Sequence, residues 1–310
     1  MNLQQLEYII AVDTYRHFAT AAEKSFVTQP TLSMMIQKLE DELNVKIFDR
    51  SKQPVIPTLV GEKIINQARI VLHEANKIKE IASNVEHAVS GEFKLAIIPT
   101  LAPYLIPLFI KNFIKKYPLV RLIITEMITE QIIDNIKKGS IDAGLLATPI
   151  SESSIFELPL FYESFYVYSS QKENKLKKKY LLPSDINYEK LWLLEEGHCL
   201  RSQILNLCEL KKNNESSNFE YAAGSIETLI KLVNKEGGIT IIPELATLDM
   251  SAKQKKYLRE FKPPVPVREI SLVMHRYFHK ENIIKAMSKE IKSSVPQIML
   301  QNTKKKIIEI

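Results

Sequence analysis

The chain has 310 residues, 45% hydrophobic and 25% charged, a globular balance that excludes disordered and fibrous classes and, at ~150 residues per domain, suggests two domains. No run approaches the ~18 apolar residues of a membrane span, and 2 cysteines are too few for a disulfide framework. The net charge of +6 is weak ground for nucleic-acid binding, because residues 1–90 hold 10 Lys/Arg against 11 Asp/Glu. The surplus falls in runs such as Lys175–Lys179, Lys253–Lys256 and Lys304–Lys306, which read as solvated surface. Met1–Glu7 lacks the basic cap and apolar core of a signal peptide, so a cytoplasmic location is expected.

Leu3, Leu6, Ile10 and Tyr15 give a first helix one apolar face, and a second helix begins near Phe18. After a turn at Ser25–Val27, Thr28 caps a third helix over Gln29–Glu42, with Pro30 in its first turn, where no amide donor is needed. Leu32, Met35, Ile36 and Leu39 recur at helical spacing and face a core, which leaves Gln29, Pro30, Thr31, Ser33, Met34 and Gln37 outward. Two short helices across a tight turn, the second with a small polar outer face, match a helix-turn-helix; a plain helical hairpin is the alternative for this segment alone. Gln suits adenine N6/N7, Ser and Thr accept or donate, and Met suits a thymine methyl. Val45–Phe48 and Val55–Ile56 read as a two-stranded wing around Arg50 and Lys52, which are placed to reach phosphates, with Arg16 and Lys24 as further candidates.

Thr58 then caps a long helix. Ile64, Ala68, Val71, Ala75, Ile78, Ala82, Val85 and Val89 alternate at spacings of 4 and 3, a heptad seam that argues for a coiled coil and dimerisation, against the alternative of a helix buried on its own domain. The ordered set Phe18-Ala19-Thr20-Ala21-Ala22, Thr28-Gln29-Pro30-Thr31-Leu32-Ser33, Ile36, Leu39-Glu40, Leu43, Ile47-Phe48-Asp49-Arg50, Thr58 and Gly61 resembles the winged helix-turn-helix and linker helix of LysR-type transcriptional regulators. That resemblance implies double-stranded operator DNA as partner, a homodimer or homotetramer, and contact with RNA polymerase.

From residue 91 the pattern changes to short strands alternating with helices: strand Phe93–Ile98, helix Tyr104–Tyr117, strand Leu119–Glu126, helix Ile128–Lys138, strand Ala143–Ala147. This predicts parallel sheet built from βαβ units. A second lobe has strand signals at Phe165–Tyr168, Leu191–Leu194, Phe219–Ala222 and Ile239–Ile242, with a helix over Ile226–Asn234 capped by Ser225; strand Val265–Met274 and helix Glu281–Ser294 follow. The fold class is therefore α/β with an all-α, winged N-terminal domain. Residues 1–58 form the winged domain, 59–90 the linker helix and 91–300 an effector domain of two lobes (91–162 with 267–300, and 163–266). Residues 301–310 read as a basic tail. The two lobes resemble the effector domain of the same family, which is similar to periplasmic binding proteins. Ligands in such sheets lie beyond the carboxyl ends of strands, where Thr100 and Thr129 fall.

The stretch most informative for chemistry runs from Leu193 through Gly197, His198 and Cys199 to Cys208. Thiolates are favoured beside His⁺, Arg or a helix N-terminus, and Cys199 has three candidates in His198, Arg201 and a helix start after the turn at Gly197; an inert buried Cys is the alternative. Nine residues of continuous helix span ~13.5 Å, whereas a disulfide needs Cα atoms within ~7 Å. The two sulfurs therefore meet only if the helix unwinds, which would make the segment a two-state element. Cys199, Cys208 and His198 lack a four-ligand zinc spacing, and His275 and His279 share a face only if their strand-like segment were helical, so neither metal nor cofactor is expected.

Gly197-His198-Cys199-Leu200-Arg201, Gln203, Cys208, Ser225-Ile226-Glu227-Thr228-Leu229 and Gly238-Ile239-Thr240-Ile241-Ile242-Pro243 resemble the hydrogen-peroxide-sensing activators of the family, as do Ile97-Ile98-Pro99-Thr100, Pro103-Tyr104-Leu105, Thr129 and Leu158-Pro159-Leu160. The resemblance implies that Cys199 is the peroxidatic and Cys208 the resolving thiol of a reversible disulfide. Thr100, Thr129, His198, Gly197 and Arg201 would line the peroxide site, and the output would be control of oxidative-stress genes. Ser202 stands where this group carries an acidic residue. Two other readings remain at this point: a regulator of the same family answering a small metabolite, with incidental cysteines, and a thiol peroxidase, against which the DNA-reading head argues.

Overall fold

The computed structural model describes residues 1–83, 89–170, 180–187, 190–208, 223–278, 280–301 and 305–308. It forms two compact units, Met1–Ala88 with Arg276–Glu281, and Val89–His275 with Asn282–Ile310. The side chain of Ala82, Val85, the Lys175–Lys179 run, the Phe219–Ala222 segment, His279 and Lys304 lie outside the described residues.

In the first unit, α1 (Leu3–Tyr15), α2 (Phe18–Lys24) and α3 (Gln29–Leu43) pack around Leu6, Ile9, Val12, Ala21, Leu32, Ile36 and Leu39. Thr28 caps α3 as the sequence predicts, its hydroxyl accepting from the Thr31 amide. The wing is an antiparallel pair, β1 (Phe48–Asp49) with β2 (Ile56–Pro57), shorter than the predicted runs because Val45–Ile47 lead into it without pairing. Glu40 ties it to α3: its buried carboxylate accepts from the amides of Ile47 at 2.7 Å and Phe48 at 3.3 Å. The long helix α4 (Leu59–Ser83) begins where Thr58 Oγ1 accepts from the Gly61 amide at 2.9 Å.

The heptad seam on α4 divides. Ala68 is 2% exposed inside the core of its own unit, and Ile64 and Val71 pack against that core. Ile78 is 69% exposed. The first turns of the seam thus bury on the head, as the intradomain alternative has it, while Ile78 stays open to solvent.

In the second unit, β3 (Gly91–Ile97), α5 (Ala102–Lys116), β4 (Val120–Glu126), α6 (Thr129–Lys137) and β5 (Ala143–Thr148) follow the predicted alternation, and β4, β3 and β5 are parallel. The rest of the sheet is mainly antiparallel. β6 (Ile155–Ser169) runs antiparallel to β10 (Val265–His275), which is antiparallel to β5. β6 is one unbroken strand of 15 residues. It pairs with β10 along its first part and with β8 (Ile239–Pro243) and β9 (Leu258–Phe261) along its second, and β9 pairs with β7 (Tyr180–Leu181). The sequence suggests only the second part, because Pro159 interrupts the first. A bulge opposite Ile270/Ser271 absorbs that proline and keeps the strand continuous.

Two further departures have local causes. Leu191–Leu194 is not a strand but a pair of isolated bridges, Leu191 to Ile239 and Leu194 to Ala223. Its amides divide between two neighbours, Trp192 donating to Ile239 and Glu195 to Ala223, so no ladder builds. The last ten residues are not simply a basic tail: β11 (Lys305–Ile307) pairs in parallel with β10. The helices α7 (Cys199–Leu207), α8 (Ile226–Glu236), α9 (Ala252–Lys255) and α10 (Glu281–Ser294) complete the elements. Among the described residues no helix is long and apolar enough to cross a membrane.

A Cβ at Gly61 would land on the carbonyl oxygen of Ile47, which belongs to backbone and has no rotamer to retreat into. Gly61→Ala is therefore expected to cost the winged unit about 2–3 kcal/mol, read as a lower denaturation midpoint with an unchanged slope in urea.

Candidate functional sites: a reading face and a two-cysteine helix

On α3, Gln29, Pro30, Thr31 and Met34 are exposed and Ser33 and Gln37 half-buried, while Gln37 donates to Asp41 at 2.7 Å. This is the outward polar face that the sequence predicts. Arg50 differs from expectation. Its guanidinium donates to Ser33 Oγ at 3.0 Å and to Glu40 Oε2 at 3.3 Å, and lies 4.9 Å from the Phe18 ring centroid. These contacts fasten the wing to α3 while Arg50 stays partly open to solvent, and Lys52 is exposed beside it.

In the second unit the turn at Gly197 has φ of +93°, a left-handed conformation that glycine adopts without steric cost. It delivers His198 to the N-cap position and Cys199 to the first residue of α7. Leu200, Ile204 and Leu207 bury the inner face of α7 in the core of the second lobe. Cys199 is buried, Cys208 closes the C-terminal end, and both are free thiols. Burial pushes the Cys208 thiol up to about 11, so at neutral pH it is protonated. Arg201 donates to the Leu194 carbonyl at 2.7 Å, closing the loop that carries His198 and Cys199, and His198 Nε2 lies 3.6 Å from Glu195 Oε1.

The threonines follow adjacent strand ends, Thr100 in a turn and Thr129 as the first residue of α6. β3 and β4 finish opposite each other at Ile97 and Glu126, and the Met127 amide donates to Ile97 at 3.0 Å; Thr100 follows the first end and Thr129 the second. A Cβ on Gly197 would sit 3.4 Å from Ile128 Cδ1, so the cysteine turn packs against the residue before Thr129. Thr129 is 8% exposed, and its hydroxyl has no hydrogen-bond partner among the described residues. Buried hydroxyls are ordinarily satisfied, which sets this one apart.

Thr100 is held from the hinge by residues that sequence reading misses. Arg268, fully buried on β10, donates to Thr100 Oγ1 at 3.1 Å and to its carbonyl at 3.2 Å, and its Nε donates to Glu163 Oε2 at 2.8 Å. Glu163 Oε1 in turn accepts from the Leu245 amide at 2.7 Å. Tyr104, whose hydroxyl burial holds well above its ordinary value, donates to Glu227 of the second lobe at 2.5 Å. A signal for Glu163 exists: it shares the period-two phase of Phe161, Phe165 and Val167, a charge on the buried face of a strand. No group of three potential metal ligands occurs among the described residues.

Residues 3–62 match the family described as bacterial regulatory helix-turn-helix protein, lysR family, and residues 86–294 the LysR substrate binding domain. The hydrogen peroxide-inducible genes activator of Haemophilus influenzae is 35% identical over 94% of this chain and 98% of its own length. The Escherichia coli K12 DNA-binding transcriptional dual regulator OxyR is 35% identical over 88% of this chain and 89% of its own. Among solved structures, a full-length OxyR variant from Pseudomonas aeruginosa superposes with TM-score 0.70 at 33% identity, covering 95% of this chain and 99% of that one. A hydrogen-peroxide-bound cysteine mutant of Corynebacterium glutamicum OxyR gives 0.60 at 27% identity, covering 94% and 92%.

Arg268→Met leaves the Glu163 carboxylate buried without its cation and is expected to cost about 3–5 kcal/mol at neutral pH in urea denaturation. Burial already raises the Glu163 carboxyl. A raised acid stabilises the fold below its unfolded pKa and loses that contribution as pH climbs, so the cost should shrink toward acid pH; a pH-independent cost would remove Glu163 as the cause. For Cys208, alkylation in a Cys199→Ser background should be slow at neutral pH and rise roughly tenfold per pH unit up to about 11, followed by mass spectrometry.

Proposed function

The chain belongs to the LysR family of bacterial transcriptional regulators, and on that premise we propose that it senses hydrogen peroxide through a reversible Cys199–Cys208 disulfide and passes that state to operator DNA. The observation that carries the reading is the placement of Cys199. It is a buried free thiol at the first turn of a helix that ends in Cys208, reached through a turn at Gly197 that packs against Ile128, the residue before Thr129, whose hydroxyl has no hydrogen-bond partner among the described residues.

In the reaction, the Cys199 thiolate attacks one oxygen of the peroxide. The S–O bond forms, the O–O bond breaks, and the departing hydroxide leaves as water once protonated, giving the sulfenic acid. Thr129 supplies the vacant hydrogen bond for the bound peroxide. Thr100, with its hydroxyl fixed by Arg268, and the turn Gly197–His198 complete the walls, while Arg201 holds their loop shut. Cys208 stays protonated as long as α7 keeps it buried. Once the helix opens, its sulfur attacks Cys199, the S–S bond forms, the S–O bond breaks and a second water leaves. A cellular dithiol reverses the step by exchange. The union of this chemistry with a helix-turn-helix head supports a sensor that reports its redox state to DNA.

The winged unit reads the operator through Gln29, Thr31, Ser33, Met34 and Gln37, with Pro30 shaping the first turn of α3 and Lys52 on phosphate. Arg50 acts first as a brace for the wing and contacts the backbone from there. Two chains pair through the later positions of the linker seam, from Ala75 and Ile78 onward, as a dimer or a dimer of dimers in the cytoplasm. The effector unit, residues 91–300, transmits the change to RNA polymerase at the promoter.

A non-reducing peptide map of the full-length protein after micromolar peroxide tests this. Linked Cys199 and Cys208 peptides are expected in the wild type, and Cys199→Ser should abolish the peroxide-dependent change in transcription from a bound promoter. Unlinked peptides, or a response that survives the substitution, would overturn it.

A further inference from the structure

The end of the chain is gripped by the two-cysteine helix. β11 lies beside β10 with Lys305, Lys306 and Ile307 opposite Val265, Pro266 and Val267, and the Ile308 amide donates to the Val267 carbonyl at 2.9 Å. Ile308 is 5% exposed and belongs to the same apolar cluster as Leu200, Ile204 and Leu207 of α7. Gln203, fully buried on α7, donates its Nε2 to the Ile308 carbonyl at 2.9 Å. The other end of that amide, Oε1, has no hydrogen-bond partner among the described residues. One bond therefore decides how the side chain lies, since exchanging its ends would set two acceptors against each other.

Gln203 stands between the two cysteines. A rearrangement that brings Cys208 to Cys199 dismantles the middle of α7 and draws Gln203 from Ile308. Leu200, Ile204 and Leu207, which share an apolar cluster with Ile308, are drawn along with it. Coupling of this kind is reciprocal: a docked chain end favours the helical, dithiol form, and the disulfide loosens the chain end.

We propose that Gln203 is a positioning residue for the redox helix and that Lys305–Ile308 is a strap that holds α7 in its reduced shape, making the Cys199–Cys208 disulfide harder to form. Peroxide sensing enters only as the trigger; the grip of Gln203 on Ile308 stands independently of it. Against dithiothreitol the exchange is balanced: the protein S–S bond forms as the cyclic disulfide of the reagent opens, two electrons and two protons passing to the reagent.

The test uses the full-length reduced protein, the Gln203→Leu variant, which keeps the volume and removes the donor, and a chain stopped after Lys304. Hydrogen exchange at the Ile308 amide should be about tenfold faster in Gln203→Leu than in wild type, and unchanged exchange would overturn the grip. The thiol–disulfide equilibrium should shift roughly tenfold toward the disulfide in both variants, equivalent to about 30 mV for this two-electron couple. A purely structural role would lower the melting temperature without moving that potential, and an unmoved potential overturns the proposal. Faster exchange in Gln203→Leu with no disulfide in any of the proteins would instead sink the peroxide reading and with it the coupling, leaving the grip alone.

Discussion

Cys199 and Cys208 sit at opposite ends of a single helix, and the straightness of that helix keeps them apart. Nine residues of α-helix separate their backbones by ~13.5 Å, about twice what a disulfide tolerates. An S–S bond here is a statement about secondary structure: the helix exists or the bond exists, and the two exclude each other. Everything that stabilises α7 therefore opposes oxidation, including its apolar face in the lobe core, the turn at Gly197 and the Arg201 clasp on Leu194.

A switching segment needs a frame that does not switch. β6 supplies it by running unbroken from one lobe to the other, and β10 lies against its first part. The buried Glu163–Arg268 pair sits on those two strands, and through Thr100 and the Leu245 amide it joins one strand end to the second lobe. A charge pair removed from water is held there by geometry and hydrogen bonds more than by net attraction. Through Arg268 it fixes the Thr100 hydroxyl and carbonyl to β10.

The head handles charge differently. Its outward helix face is polar but nearly neutral, and Arg50 is occupied by Ser33, Glu40 and Phe18. Glu40 holds the wing backbone and Arg50 together, tying the wing to α3. Residues 1–90 are close to neutral overall, with 10 Lys/Arg against 11 Asp/Glu.

Local chemistry was readable from the chain itself. Helix caps at Thr28 and Thr58, the periodic core of α3, the strand–helix alternation after residue 91 and the helix between the cysteines all rest on relations among residues three or four apart, or alternating along a strand. The candidate site was legible to the same extent, in Cys199, its turn and the strand-end threonines. What the folded molecule alone decided were meetings across long stretches of chain. Arg268 reaches Thr100 across 168 positions, and Gln203 reaches Ile308 across 105. The same holds for the bulge that lets Pro159 stay within β6, the bonding of Arg50 to Ser33 and Glu40, and the burial of Ala68 on its own head. No local pattern encodes such pairings, because each buried polar group takes whichever partner the packing of the whole core brings within reach.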